Sequence, residues 1–320
     1  MPASVPRRRS KVKLAGHLLH AGILLALLGL EMRHFASPEP RDISMAPGDT
    51  VTIDVSRAIY LEKFDIPTWP SGKPRQFVSR VHVYEQGRAT ERVADVSVNH
   101  PLRLGDAVLY QYSYGPDQTG TACTVLRYVK DAGLPLAANG GLCLILGALL
   151  LAWRRCRAGT DAVRRDLPRW MRYASWGVAL AAVAVPAWIM TRAVLRPEPM
   201  PALQSWLMAP HVAAYAASYL ILLFAACGIG RRWVSLGFLL MTLGLVLGAV
   251  WGKLAWSEWW QFDPKENWSF VTWLAFAAYF HLRPDSRAAA WCLRLGGALI
   301  LITLTWVNFS KIFTGIHSYA

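Results

Sequence analysis

The order of apolar and polar positions divides the chain into blocks of two kinds. Long runs with almost no charge fall near Leu14–Leu30, Leu134–Trp153, Ala174–Leu195, Leu207–Gly228, Trp233–Trp251, Trp268–Phe280 and Ala289–Phe309. A helix needs roughly 20 such residues to cross a hydrocarbon layer of about 30 Å, so these runs predict seven transmembrane helices. The sixth is the shortest, with Trp268 and Arg283 placed to anchor its two ends. Between the first and second runs the period changes. From Pro40 to Asp131 there is no helical spacing, and Val51–Val55, Phe77–Val83 and Val108–Tyr112 alternate as half-buried strands do. Pro67, Pro70, Pro74, Gly87, Gly105 and Gly115-Pro116 break these runs as turns. The expected fold is a mainly α membrane protein with about seven spans and a small antiparallel β domain on the outer face. Three parts follow: a basic tail and first span over 1–33, the β domain over 34–133, and a six-span domain over 134–320.

Lysine and arginine in short loops set the orientation of such a chain. With the N-terminus inside, the inner segments hold sixteen (five before the first span, then seven, two and two), and the outer short segments hold five: Arg192, Arg196, Lys253, Lys265 and Lys311. The N-terminus is therefore expected inside and the C-terminus outside. Glu31-Met32-Arg33-His34 follows the first apolar run where a signal peptide would carry small residues, so an uncleaved first span is expected.

Composition agrees with a membrane protein. The chain is 54% apolar and 17% charged, against about 25% charged in soluble domains. A soluble single-core enzyme, a disordered chain and a disulfide scaffold are excluded. The net charge of +14 is spread over several short loops rather than one face, which argues against a nucleic-acid partner. The five cysteines form no CxxC or CxxCH pair, so thiol redox chemistry and covalent haem attachment within this chain are not expected. No zinc spacing and no glycine-rich phosphate loop is present.

Six tryptophans fall between Trp251 and Trp273, around the polar turn Asp263-Pro264-Lys265-Glu266. An aromatic belt at the membrane interface explains the rings but not the turn. A flat aromatic shelf beside a rigid polar turn suits a large planar ligand. His211 opens the fourth span, with Tyr215, Ser218 and Tyr219 on the same helix face. His317 lies in the outer tail. On this topology His211, His317 and the tryptophan-rich loop share one side of the membrane, where two neutral imidazoles can supply the axial ligands of a haem iron. At the inner side, His17 and His20 share a face of the first span and His281 closes the sixth. Histidine within a span is costly without a partner or a function.

Ala255–Trp268 resembles, without gaps, the tryptophan-rich WWD signature of the CcsA/ResC family of cytochrome c assembly proteins. Ser257 stands where that family usually has Gly, Trp259 where Tyr is common and Phe262 where Trp is common. Met208-Ala-Pro-His211, Ala278-Tyr-Phe-His281-Leu-Arg283 and Gly315-Ile-His317-Ser-Tyr319 also resemble the family, in the same order. The N-terminal part is similar to the CcsB/ResB partner: His20–Gly29 looks like its histidine-bearing span, and Val98-Asn-His-Pro-Leu-Arg103 with Leu109–Gly115 like its outer-domain signature. The chain reads as a compact fusion of the two.

The resemblance implies a role in which haem b is held at the outer face and joined to the CxxCH cysteines of an apocytochrome c. It implies His211 and His317 as outer axial ligands and His20 and His281 as the inner haem pair, with His17 the competitor of His20. Trp256, Trp259, Trp260, Phe262, Asp263 and Trp268 are then the haem-contacting loop. The substrate thiols act as nucleophiles, so no catalytic residue is assigned on this chain. Implied partners are a further ResB-like subunit and thiol reductants besides the apocytochrome and the lipid bilayer, at a bacterial cytoplasmic membrane with the functional face outward. Two alternatives stand beside this: a haem exporter or delivery subunit without ligation, and a solute transporter or sensor without haem.

Overall fold

The computed structural model describes residues 7–85, 88–116, 120, 122–157 and 198–305. The expected third span (174–195), the end of the seventh and His317 lie outside the described residues. Among the described residues the first element is α1 (Arg7–Phe35). Eight strands follow: β1 (Arg41–Met45), β2 (Thr50–Thr52), β3 (Arg57–Asp65), β4 (Val78–Glu85), β5 (Arg88–Ser97), β6 (Leu102–Leu104), β7 (Ala107–Pro116) and β8 (Ala122–Lys130). Then come α2 (Leu134–Arg157), α3 (Met208–Ala226), α4 (Val234–Trp256), α5 (Pro264–Tyr279) and α6 (Arg287–Leu304).

Among the described residues five helices, α1, α2, α3, α4 and α6, are long and apolar enough to cross a membrane. The chain is thus a membrane protein carrying small antiparallel sheets. The sixth predicted run forms α5, whose 16 residues extend about 24 Å at 1.5 Å per residue. It starts four residues before the predicted boundary, because Asp263 and Pro264 supply an N-cap and a first helical residue.

Helices α1 and α2 run antiparallel at backbone contact. Gly22 and Gly29 on α1 face α2, whose approach side carries Gly140 and Gly147 with Gly133 just ahead of it, all at seven-residue spacing. A Cβ on Gly29 would lie 2.5 Å from the Ala137 nitrogen, and one on Gly140 2.5 Å from that of Ala26. Close approach through small residues is how helices associate in lipid, where apolar burial between helices adds little. Leu24, Leu28, Leu142 and Leu149 stand exposed on the same helices, as side chains in contact with lipid tails would.

The β part is a sandwich of two four-stranded antiparallel sheets, ordered β1-β8-β7-β6 and β2-β3-β4-β5. Both contribute to one apolar core that includes Ile43, Ile59, Leu61, Val81, Leu109 and Leu126. Three buried polar groups bridge the sheets and satisfy one another: the Ser79 hydroxyl donates to Gln111 Oε1 at 2.7 Å, and Gln111 Nε2 donates to Thr124 Oγ1 at 2.9 Å. The predicted run Val51–Val55 is cut short at Thr52. Asp54 turns the chain there by accepting from the Ser56 nitrogen (2.9 Å) and Arg57 Nε (2.8 Å), which leaves Val55 fully exposed.

Helices α2 to α6 share a second core built on Leu222, Phe238, Met241, Trp273, Phe276 and Leu293. Trp273 Nε1 donates to Thr242 Oγ1 at 2.9 Å and Ser218 Oγ to the Gly237 carbonyl at 2.7 Å. Glycines on α4 and α6 make room for rings: Gly244 for Tyr215, Gly248 for His211 and Gly296 for Phe276.

Candidate functional site

The tryptophan-rich loop joins α4 to α5. Ser257 closes α4 in the left-handed region (φ 69°), a conformation that favours glycine. At the far end, Asp263 Oδ1 accepts from the Lys265 nitrogen at 2.9 Å. Glu266 Oε2 accepts from the Gln261 and Asp263 nitrogens at 2.8 and 3.3 Å. The polar turn legible in the sequence is thus a capping box, and its rigidity comes from reciprocal satisfaction of the first helical donors. Asp263 is buried in that role. Asn267 braces the middle: Trp260 Nε1 donates to its Oδ1 at 3.2 Å, and its Nδ2 donates to the Phe262 carbonyl at 2.8 Å. Phe262 (φ 56°) is 74% exposed. Trp256 meets the buried Trp251 edge-on at 4.8 Å, and Trp251 Nε1 donates to the Ala202 carbonyl at 3.0 Å. Trp268 is half-buried one turn into α5.

His211 lies on the first turn of α3, with Tyr215 at 5.2 Å and Trp251 at 6.0 Å between ring centroids. Its Nδ1 is 2.9 Å from the Gly244 carbonyl. A carbonyl only accepts, so Nδ1 donates in this contact, and Nε2 is the ring nitrogen that a metal would take. Gly248 is required for this seat, because a Cβ there would come 2.7 Å from His211 Cε1. His20 repeats the arrangement, with Nδ1 2.7 Å from the Gly16 carbonyl. Its ring meets that of His281 at 5.7 Å between centroids and 72° between planes. Among the described residues His20, not His17, makes this contact. His281 follows the end of α5, so the His20–His281 pair sits about 24 Å along the bundle from the aromatic loop. His317, the expected partner of His211, lies outside the described residues.

Comparisons with known proteins meet these elements. Residues 12–157, from α1 through the sandwich to α2, match the ResB-like family. Residues 229–314, which carry α4, the loop, α5 and α6, match the family described as cytochrome C assembly protein. This chain combines a ResB-like part with a CcsA-like part. "Cytochrome c biogenesis protein CcsA" of Prochlorococcus marinus (strain MIT 9312) is 45% identical over 92 residues, which is 28% of this chain and 29% of that relative. The protein of the same name from Synechococcus sp. (strain RCC307) is 40% identical over 92 residues, again 28% of this chain and 29% of the relative. The chain thus spans about 29% of the length of these curated relatives.

The ResB-like part grips the CcsA-like part at the aromatic loop. Asp131, between β8 and α2, accepts from Lys253 Nζ at 2.5 Å and from Trp259 Nε1 at 3.3 Å. Arg33 at the end of α1 pairs with Glu258 at 3.1 Å. Farther along, Asn99 Nδ2 donates to the Pro201 and Ala202 carbonyls at 2.9 and 3.1 Å, just ahead of α3. Lys253, counted from the sequence as an outer-loop cation, is instead buried in the last turn of α4. A lone lysine inside an apolar run is itself a sequence signal of a buried partner. Gly248 and Asp131 carried no comparable signal.

Proposed function

We propose that this protein acts in cytochrome c biogenesis by carrying haem b through the membrane and presenting it at the outer face for attachment to the CxxCH cysteines of an apocytochrome c. The observation that carries the reading is the meeting of His20 and His281, from the ResB-like and CcsA-like parts, at 5.7 Å. Two imidazoles, one with its Nδ1–H held by a carbonyl, are a donor set suited to haem iron. The inner haem site is assigned to His20 and His281, and the outer axial ligands to His211 and His317. Trp256, Trp259, Trp260, Phe262, Asp263 and Trp268 form the shelf beside the outer site, where rings contribute area with few rotors to freeze. Haem is the substrate here. The chain's residues bind and orient it, and the thiols of the acceptor add across its vinyl groups.

The full topology belongs to the same reading: seven spans, N-terminus inside, C-terminus and β sandwich outside, in a bacterial cytoplasmic membrane. The division at 1–33, 34–133 and 134–320 is likewise proposed, as are a further ResB-like subunit and thiol reductants as partners.

The test is expression with an apocytochrome c in cells lacking other assembly factors. The expected result is covalent cytochrome, and a purified protein with a haem spectrum whose haem content falls at least twofold in His20→Gly, His281→Gly and His317→Gly. Gly248→Ala, which displaces the His211 ring, should lower cytochrome yield while sparing haem at the inner pair. A colourless wild-type protein, or full haem content in all three histidine variants, overturns the reading.

A further inference from the structure

The β sandwich is joined to the membrane helices by two stems, and each stem ends on the aromatic loop. The entry stem, at the end of α1, supplies Arg33 to Glu258 (3.1 Å). The exit stem supplies Asp131, whose carboxylate is a junction. Its Oδ1 accepts from the Gly133 nitrogen at 3.1 Å, which fixes the start of α2. Its Oδ2 accepts from Lys253 at 2.5 Å and from the Trp259 indole at 3.3 Å. Lys253 also donates to the Ser257 carbonyl at 2.9 Å. Three successive loop residues, Ser257, Glu258 and Trp259, are thereby tied to the two stems. The Lys253 and Asp131 side chains are only 7% and 4% exposed. A charge buried to that degree tolerates little displacement from its partner, since separation leaves both ions desolvated and unpaired. The seating of the sandwich and the posture of the loop are therefore one equilibrium rather than two.

We propose that Asp131 is a positioning residue: it transmits the seating of the outer β sandwich to the aromatic loop and holds Trp259 in place for the haem edge. The proposal rests on the haem reading above for what the loop contacts, and on the ion-pair geometry alone for the coupling. A partner that docks on the sandwich would act on haem presentation through this carboxylate, with no need to touch the loop.

The experiment uses full-length protein in lipid nanodiscs, with hydrogen exchange read by mass spectrometry beside the visible spectrum. Asp131→Asn is expected to raise amide exchange over residues 257–262 at least tenfold while β3, β4 and α6 exchange as in wild type. Asp131→Glu, which keeps the charge, should return loop exchange most of the way. A purely structural role would instead loosen the strands together with the loop, and that result overturns the proposal, as does unchanged loop exchange in Asp131→Asn. Should Asp131→Asn fail to accumulate, Trp259→Phe deletes the indole donor while keeping a ring, and its loop exchange is judged by the same outcomes. The two readings fail separately. Loop loosening in a protein that never holds haem sinks the haem assignment and supports the coupling. Normal haem content and cytochrome yield with an unmoved loop sinks the coupling alone.

Discussion

Gly140→Ala tests the packing on which the position of His20 depends. The added methyl carbon would lie 2.5 Å from the Ala26 nitrogen, 2.9 Å from its Cα and 2.9 Å from the Gly22 carbonyl oxygen. All three are backbone atoms of α1 and cannot rotate away, so α1 and α2 must separate by about 1 Å to restore an ordinary contact. Overpacking of this kind costs about 1–3 kcal/mol. Neighbouring contacts at Gly29 and Gly147 loosen with it, and His20, two residues from Gly22, moves away from His281. Gly16→Ala is the matched control, because a Cβ there meets nothing within 4 Å. Apparent melting, read by fluorescence-detected size exclusion after heating, should fall for Gly140→Ala by about 2–10 °C and stay near wild type for Gly16→Ala. Haem retained per polypeptide should follow the same order. If Gly140→Ala melts at or above Gly16→Ala, the backbone contact between the two helices is not as described.

Two further predictions concern the sandwich and its seat. Burial raises the pKa of Asp54, but hydrogen bonds from Tyr128 and Ser56 and the charge of Arg57 outweigh it and hold the carboxyl at about 2. A depressed carboxyl stabilises the fold above its unfolded value near 3.8, and the contribution disappears as pH falls toward 2. Asp54→Asn should therefore destabilise the sandwich by about 2 kcal/mol at neutral pH, read by hydrogen exchange in β3 and β8, with the gap to wild type closing between about pH 4 and pH 2; a gap that does not change with pH rejects the assignment. At the seat, Asn99 combines a left-handed backbone (φ 69°) with two donated bonds. Asn99→Gly should lose about 1–2 kcal/mol for the bonds and Asn99→Ala about 1 kcal/mol more for the backbone, so an alanine variant as stable as the glycine one would contradict this account.

Local pattern carried much of this architecture in the sequence. The ends of α2 and α3 fall close to the edges of their apolar runs, and period-two runs with proline and glycine breaks marked three strands of the sandwich. The family likeness was legible in Ala255–Trp268 because its tryptophans and capping turn are contiguous. Contacts between distant segments were not legible. Lys253 and Asp131 are 122 residues apart, and Arg33 and Glu258 are 225 apart. Asp131, Arg33 and Glu258 each look like a solvated charge at the end of an element, Lys253 signals a partner without naming it, and only folding reveals that the two pairs close on one loop. Asp263 illustrates a different limit: its place in the motif was plain, yet its local work is to cap α5. The seven-residue recurrence of glycine on α1 and α2 was present in the sequence, and it marks an antiparallel backbone contact that hydropathy alone does not report.

The Ala132 nitrogen donates to Ser37 Oγ at 2.9 Å, a bond between residues 95 positions apart that pins together the two ends of the segment carrying the β sandwich. An insert whose two ends meet at its base can be lengthened or trimmed at its distal turns without pulling apart the helical hairpin beneath it. The junction thus works as a clasp: changes confined to the distal turns of the sandwich leave the ends of α1 and α2, and the ion pairs beside them, where they are.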